Sequence, residues 1–308
     1  MPIISSVAEL QEYITVGNDL QFKSIKPCVF NAEKKYLKPI LGSALFKALE
    51  EGGDSGELMQ LVQNVVAKFT LWLYVVPGGV QVDDAGIYQS KTADMWRLTE
   101  SEIQTYRLSA LEDAMDAMDL MIANLEENAK AAAADKPTAE YTPYELWYVS
   151  PTRQRYAGLL INNGDDFSEY VALYRSSLTF LMMCDCIRDA ELHIIAPLLG
   201  DYYNTQKQLT GLGNSDLVLR RLILETLAKL AAAAALSKGL YYLNAGRITM
   251  TFQPEPIADK VLSSYKTSAQ DALERLQAKL EQLKPAGYVP RSSSEDVLRR
   301  QGAKIVIA

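Results

Sequence analysis

One twelve-residue pattern occurs twice in this chain. Asn31-Ala-Glu-Lys-Lys-Tyr-Leu-Lys-Pro-Ile-Leu-Gly42 returns as Asp189-Ala-Glu-Leu-His-Ile-Ile-Ala-Pro-Leu-Leu-Gly200, at an offset of 158. An internal repeat limits the possible folds more than any single motif does, because each copy must form the same local unit. The surrounding residues restart as well. Asp166-Phe-Ser-Glu-Tyr-Val171 echoes Ala8-Glu-Leu-Gln-Glu-Tyr-Ile14, and Leu178 and Phe180 match Leu20 and Phe22.

Between these anchors the periodicity is helical. Ser5 or Ser6 with Glu9 makes a capping box that opens a short helix to about Ile14. Ile25, Val29, Ala32, Tyr36 and Leu37 share one side of a second helix, over Phe22–Lys38, with Pro27 in its first turns and Asp19 as a possible cap before it. Pro39 is expected to break or kink that helix, because its ring clashes with the preceding turn. Gly42 then supplies a left-handed cap, a short helix runs from Ser43 to Glu50, and Gly52–Gly56 is a loop.

Glu57–Val76 is apolar on most of its circumference and reads as a central helix, with a second one over Leu217–Leu243. Alternating residues at Val80–Tyr88 and Arg247–Phe252 predict short β excursions. Glu100–Asn128 and Ala258–Leu283 are long helices with apolar residues at alternating spacings of four and three.

The expected fold is therefore mainly α: two tandem helical-bundle repeats, each with a short β excursion or hairpin. The first repeat covers residues 1–128 and the second 164–286. Residues 129–163 form a linker and an aromatic junction, and 287–308 a flexible tail with an edge strand at Lys304–Ala308. The expected structural core of the repeats is Ala32, Glu33, Tyr36, Pro39 and Gly42 in the first, with Ala190, Glu191, Pro197 and Gly200 in the second.

Composition narrows the function classes. With 48% hydrophobic and 22% charged residues the chain reads as a soluble globular protein, and no apolar run is long enough to span a bilayer. The start lacks the pattern of an export signal, which points to intracellular synthesis. Three cysteines without framework spacing do not make a disulfide scaffold, and Cys28 and Cys186 sit at matching places in the two copies as small buried side chains.

The net charge of −7 is uneven. Residues 1–128 carry 10 Lys and Arg against 19 Asp and Glu, while the remainder carries 21 against 19. An acidic first half argues against sequence-specific nucleic-acid binding. Glu112, Asp116, Asp119, Glu126 and Glu127 form an acidic strip on the long helix. The ordinary reading of such a strip is a solvated face. The sharper one is a surface for a basic partner or a lumen wall that does not hold DNA. Glu112, Asp116 and Asp119, with Ile305, Val306 and Ile307 of the tail strand, are the candidate interaction residues.

No catalytic constellation is visible. The single histidine, His193, falls where the first copy has Lys35. There is no phosphate-binding glycine loop, no dinucleotide fingerprint and no nucleophile elbow. Glu33 and Glu191 lack the Glu-x-x-His partner of a di-metal bundle. Neither an enzyme nor a cofactor is expected. Each glutamate is expected to make a helix-surface pair or to cap a neighbouring element.

The element Ile25-Lys-Pro-x-Val-x-Asn-Ala-Glu-x-x-Tyr-Leu-x-Pro-x-Leu-Gly42, followed by an apolar helix ending in Leu71-Trp-Leu-Tyr74, resembles the small helical head–tail connector (adaptor) proteins of tailed phages. The chain looks more closely like the duplicated connector-like proteins of Bacteroidetes phages and prophages, and the resemblance covers each half up to the central helix. The second half departs from the pattern, with Ile194 in place of the tyrosine and an alanine run in place of Leu-Trp-Leu-Tyr. The resemblance implies a virion structural protein, made in the bacterial cytoplasm, that forms a homo-oligomeric ring between portal and tail proteins without catalytic residues. The alternative is a bacterial helical scaffold that binds a protein partner outside any virion.

Overall fold

The computed structural model describes residues 2–17, 20–52, 56–75, 80–83, 86–89, 99–208, 213–239, 241–244, 247–250 and 259–289. These are mainly helical and divide into two compact units, Met1–Gln154 and Arg155–Ala308. The expected cap at Asp19, the centre of the loop at 53–55 and the tail strand with Ile305, Val306 and Ile307 lie outside the described residues.

The first unit opens with α1 (Val7–Gln11), shorter than the periodicity predicts, capped by the Ser6 hydroxyl, which accepts the Glu9 N–H. Helix α2 (Phe22–Asn31) carries Pro27 and buries Ile25, Cys28 and Val29. It does not stop before Pro39. A π-helical turn, Ala32–Leu37, leads directly into α3 (Lys38–Leu41), with the proline in the first turn of α3. The expected break or kink is thus a widened turn. The Lys38 N–H reaches back five residues to the Glu33 carbonyl, and the helix then resumes. A π-bulge accommodates a proline by shifting the register just ahead of the missing N–H. Gly42, at φ +78°, ends α3 in a conformation that favours glycine.

Helix α4 (Ser43–Glu50) and the central α5 (Glu57–Tyr74) follow. β1 (Val80–Asp83) pairs antiparallel with β2 (Gly86–Gln89), Val80 opposite Gln89. α6 (Glu100–Glu127) starts at a capping box formed by Thr99 and Glu102 and packs along α5. Its buried side includes Leu111, Met118, Ile122 and Leu125 of the expected seam, and Ala110, Ala114, Ala117 and Met121 widen it.

The aromatic segment closes this unit. α7 (Pro143–Tyr148) packs on α4, and α8 (Pro151–Gln154) follows. Buried Trp147 donates its indole N–H to Glu126 at 2.7 Å, and Arg153 Nε lies 3.3 Å from the other oxygen of the same carboxylate. Glu126 therefore belongs to a packed contact and not to the solvated acidic strip.

In the second unit, α9 (Gly164–Ser168) and α10 (Ser177–Ala190) precede a π-helical turn at Glu191–Ile195. α11 (Ala196–Leu199) holds Pro197, and Gly200, at φ +59°, ends it. Tyr156 packs edge-on against Phe180 within this unit. α12 (Tyr202–Gln208) leads to the central α13 (Asn214–Ser237).

α13 is shorter than the apolar run implies. It ends at Ser237, and Tyr241–Asn244 forms β3, paired with β4 (Arg247–Met250). α14 (Asp259–Leu283) packs along α13. Ala231, Ala232, Ala233 and Ala235 of the α13 alanine run are fully buried, and the Thr226 hydroxyl, which donates to Leu222 O at 2.7 Å, lies 3.2 Å from Ala272 O of α14.

Candidate functional site

The two glutamates of the repeated pattern are the most deeply buried carboxylates described, at 2% exposure for Glu33 and 0% for Glu191. Both stand at the start of a π-turn. Lys38 N–H bonds to Glu33 O ahead of Pro39, and Ala196 N–H bonds to Glu191 O ahead of Pro197. A proline at the same place relative to each glutamate accounts for the same register shift.

Each buried carboxylate accepts the backbone N–H of an earlier segment. Ile3 N–H donates to Glu33 Oε1 at 2.7 Å over a separation of 30 residues. Leu160 N–H donates to Glu191 Oε2 at 2.8 Å over a separation of 31. The receiving segments are alike as well. Ile3-Ile4 and Leu160-Ile161 are buried aliphatic pairs that precede the two glutamates by nearly the same distance. That pairing is the sequence signal that could have located these contacts.

The two carboxylates have different side-chain neighbours. Burial raises the Glu33 carboxyl above its ordinary range, and the N–H groups of Ile3 and Ile4 and the nearby Lys34 charge pull it back only in part. Glu191 also accepts the Tyr203 hydroxyl at 2.5 Å, and Lys207 Nζ lies 3.7 Å away. Burial, and then the bond to Glu191, push the Tyr203 phenol up. Charged and neutral donors surrounding a buried carboxylate make it a structural clamp.

The other residues of the repeated pattern divide between core and surface. Ala32 and Ala190 are buried, whereas Pro39, Pro197 and Gly200 are exposed. Tyr36 stacks on Phe69 at 4.8 Å between ring centroids and meets the edge of Trp72 at 5.5 Å. Arg107 lies over the Trp72 ring at 5.6 Å. The aligned positions of the second unit, Ile194, Leu230 and Ala233, carry no aromatic ring.

Residues 24–144 match a family of unknown function (DUF6712). The match lies wholly in the first unit and spans the π-turn, the aromatic cluster and α6. No curated protein matches the chain, and no solved structure does.

Among the described residues no cluster of three or more His, Cys, Asp or Glu side chains is placed to hold a metal ion. Cys28, Cys184 and Cys186 are buried free thiols, and burial raises the Cys28 and Cys186 thiols, which disfavours the reactive thiolate. His193 is exposed. Among the described residues, no helix is long and apolar enough to cross a membrane. Of the acidic strip, Glu112 and Asp116 are exposed and Asp119 is half-buried.

Proposed function

We propose that this protein is a non-enzymatic head–tail connector of a tailed phage or prophage, and that its two units are tandem connector-like helical repeats, each with a short hairpin. In this reading it is made in the bacterial cytoplasm, assembles into a ring and joins portal to tail in the virion. The observation that carries the reading is the buried glutamate of the repeated pattern. In both units it follows an alanine, opens a π-turn ahead of a proline, and clamps the segment some thirty residues upstream.

Such a clamp favours rigid units suited to stacking side by side. The sequence pattern that carries the resemblance to connectors lies on these same residues. The aromatic cluster of the first unit falls at positions that carry no aromatic ring in the second, which suits a protein whose two repeats meet different neighbours.

The experiment is binding to the portal protein encoded in the same gene cluster, read by co-sedimentation. Capture of the chain by assembled portal supports the reading. A chain that neither binds portal nor self-associates sinks it and leaves a helical interaction scaffold outside the virion.

A further inference from the structure

Two surfaces of opposite charge, one on each unit, carry exposed leucines. On α6 the stretch 108–127 contains no Lys, Arg or His. Leu108, Glu112, Asp116 and Leu120 follow one another at four-residue steps along its solvent side, a ridge roughly 18 Å long at the rise of an α-helix. Leu108 is 52% exposed and Leu120 is 60% exposed. The neighbouring Asp113 is engaged elsewhere, by Lys68 at 3.3 Å.

Leu217 and Leu224 of α13 line an open groove of about 790 Å³ together with Tyr170, Arg220, Arg221 and Lys229. Leu217 is 53% exposed. Glu225 in the groove is held between Lys229 at 2.7 Å and Arg275 at 2.8 Å. Three cations, Arg220, Arg221 and Lys229, thus line the groove with two carboxylates, Glu169 and Glu225, which leaves it positive, and Arg220 also donates to Gln206 O at 2.6 Å.

We infer that the Leu108–Leu120 ridge of one copy seats in the α13 groove of a second copy. The ridge leucines cover Leu217 and Leu224, and the carboxylates of Glu112 and Asp116 face Arg220 and Arg221. The two surfaces are different, so the contact is heterologous. It propagates head to tail and makes a ring when the rotation closes. This inference rests on the ring reading above and names the contact that builds the ring.

The test is sedimentation velocity on the full chain over a wide concentration range. A ridge variant carries Glu112→Arg with Asp116→Arg, and a groove variant carries Leu217→Glu with Arg221→Glu. All four positions are exposed, so the fold is expected to persist, as circular dichroism checks. Each variant alone brings like charges together and weakens self-association by about tenfold or more. An equimolar mixture restores it, because the reversed ridge meets the reversed groove and the native ridge meets the native groove. A misfolded variant does not give that rescue.

A wild-type chain that stays monomeric at every concentration overturns the inference and leaves the connector reading to the portal experiment. So does a wild-type assembly that neither variant weakens, which places the ring contact elsewhere. Loss without rescue on mixing also overturns the pairing of these two surfaces.

Discussion

Glu33 and Glu191 show how one residue type in one local context fixes the position of a distant segment. Replacing either with alanine leaves a buried backbone N–H without its acceptor, which costs about 1–3 kcal/mol. Glu191→Ala is expected to cost more than Glu33→Ala, because it strips the Tyr203 hydroxyl of its partner as well. Urea unfolding of the two variants measures both effects.

The pH dependence has a definite sign at two glutamates. The folded-state pKa of Glu33 is raised above the ordinary 4.5. Its favourable contribution is complete below the ordinary value and is lost as pH rises through the raised one. The stability of the wild type relative to Glu33→Gln is therefore expected to fall with rising pH across that interval. Glu145 behaves in the opposite way. The Lys136 ammonium and the Thr142 N–H hold its carboxyl down to about 2. Its contribution is present above the ordinary value and is lost as pH falls toward about 2, so Glu145→Gln is expected to flatten the acid limb of the stability profile.

At the scale of the element, the helices with one-sided patterns were legible and their interruptions were not. The predicted start of α6 at Glu100 agrees with the structure, because Thr99 and Glu102 supply a local cap. Pro39 announced a disturbance, but its rigid ring does not reveal whether the chain stops or inserts a residue. The chain inserts one, because Leu37, Ile40 and Leu41 on either side of the proline must all reach the core. Deleting Lys35 from the π-turn turns the preceding helix by about 100° relative to α3. We expect loss of more than about 3 kcal/mol from displaced core residues, against little change for removal of an exposed residue such as Ala134 from the preceding linker to α7. Thermal unfolding of the two deletions checks this.

The end of α13 was misread for the converse reason. Gly239, at φ +67°, stops the helix, but the apolar run continues through Tyr241, Tyr242 and Leu243, which belong to β3. Hydrophobicity alone does not separate a buried helix from a strand that follows it directly. In the candidate site, the repeated Glu and Pro were visible in the sequence. The acceptor role of the carboxylate was not, since its donors are main-chain N–H groups about thirty residues away.

The whole molecule comprises two helical units that share a clamp and differ in surface. The first is acidic along α6 and aromatic around Tyr36, and the second carries Arg220, Arg221 and Lys229 on α13. Two different faces on one chain are what a ring requires, because identical faces close at a dimer. The most direct measurement is the mass of the full chain by light scattering with negative-stain microscopy, alone and with its portal protein. A closed ring of fixed copy number, formed by the chain alone or on the portal, is the predicted result. A monomer that persists at every concentration and stays unbound in the presence of portal contradicts the account.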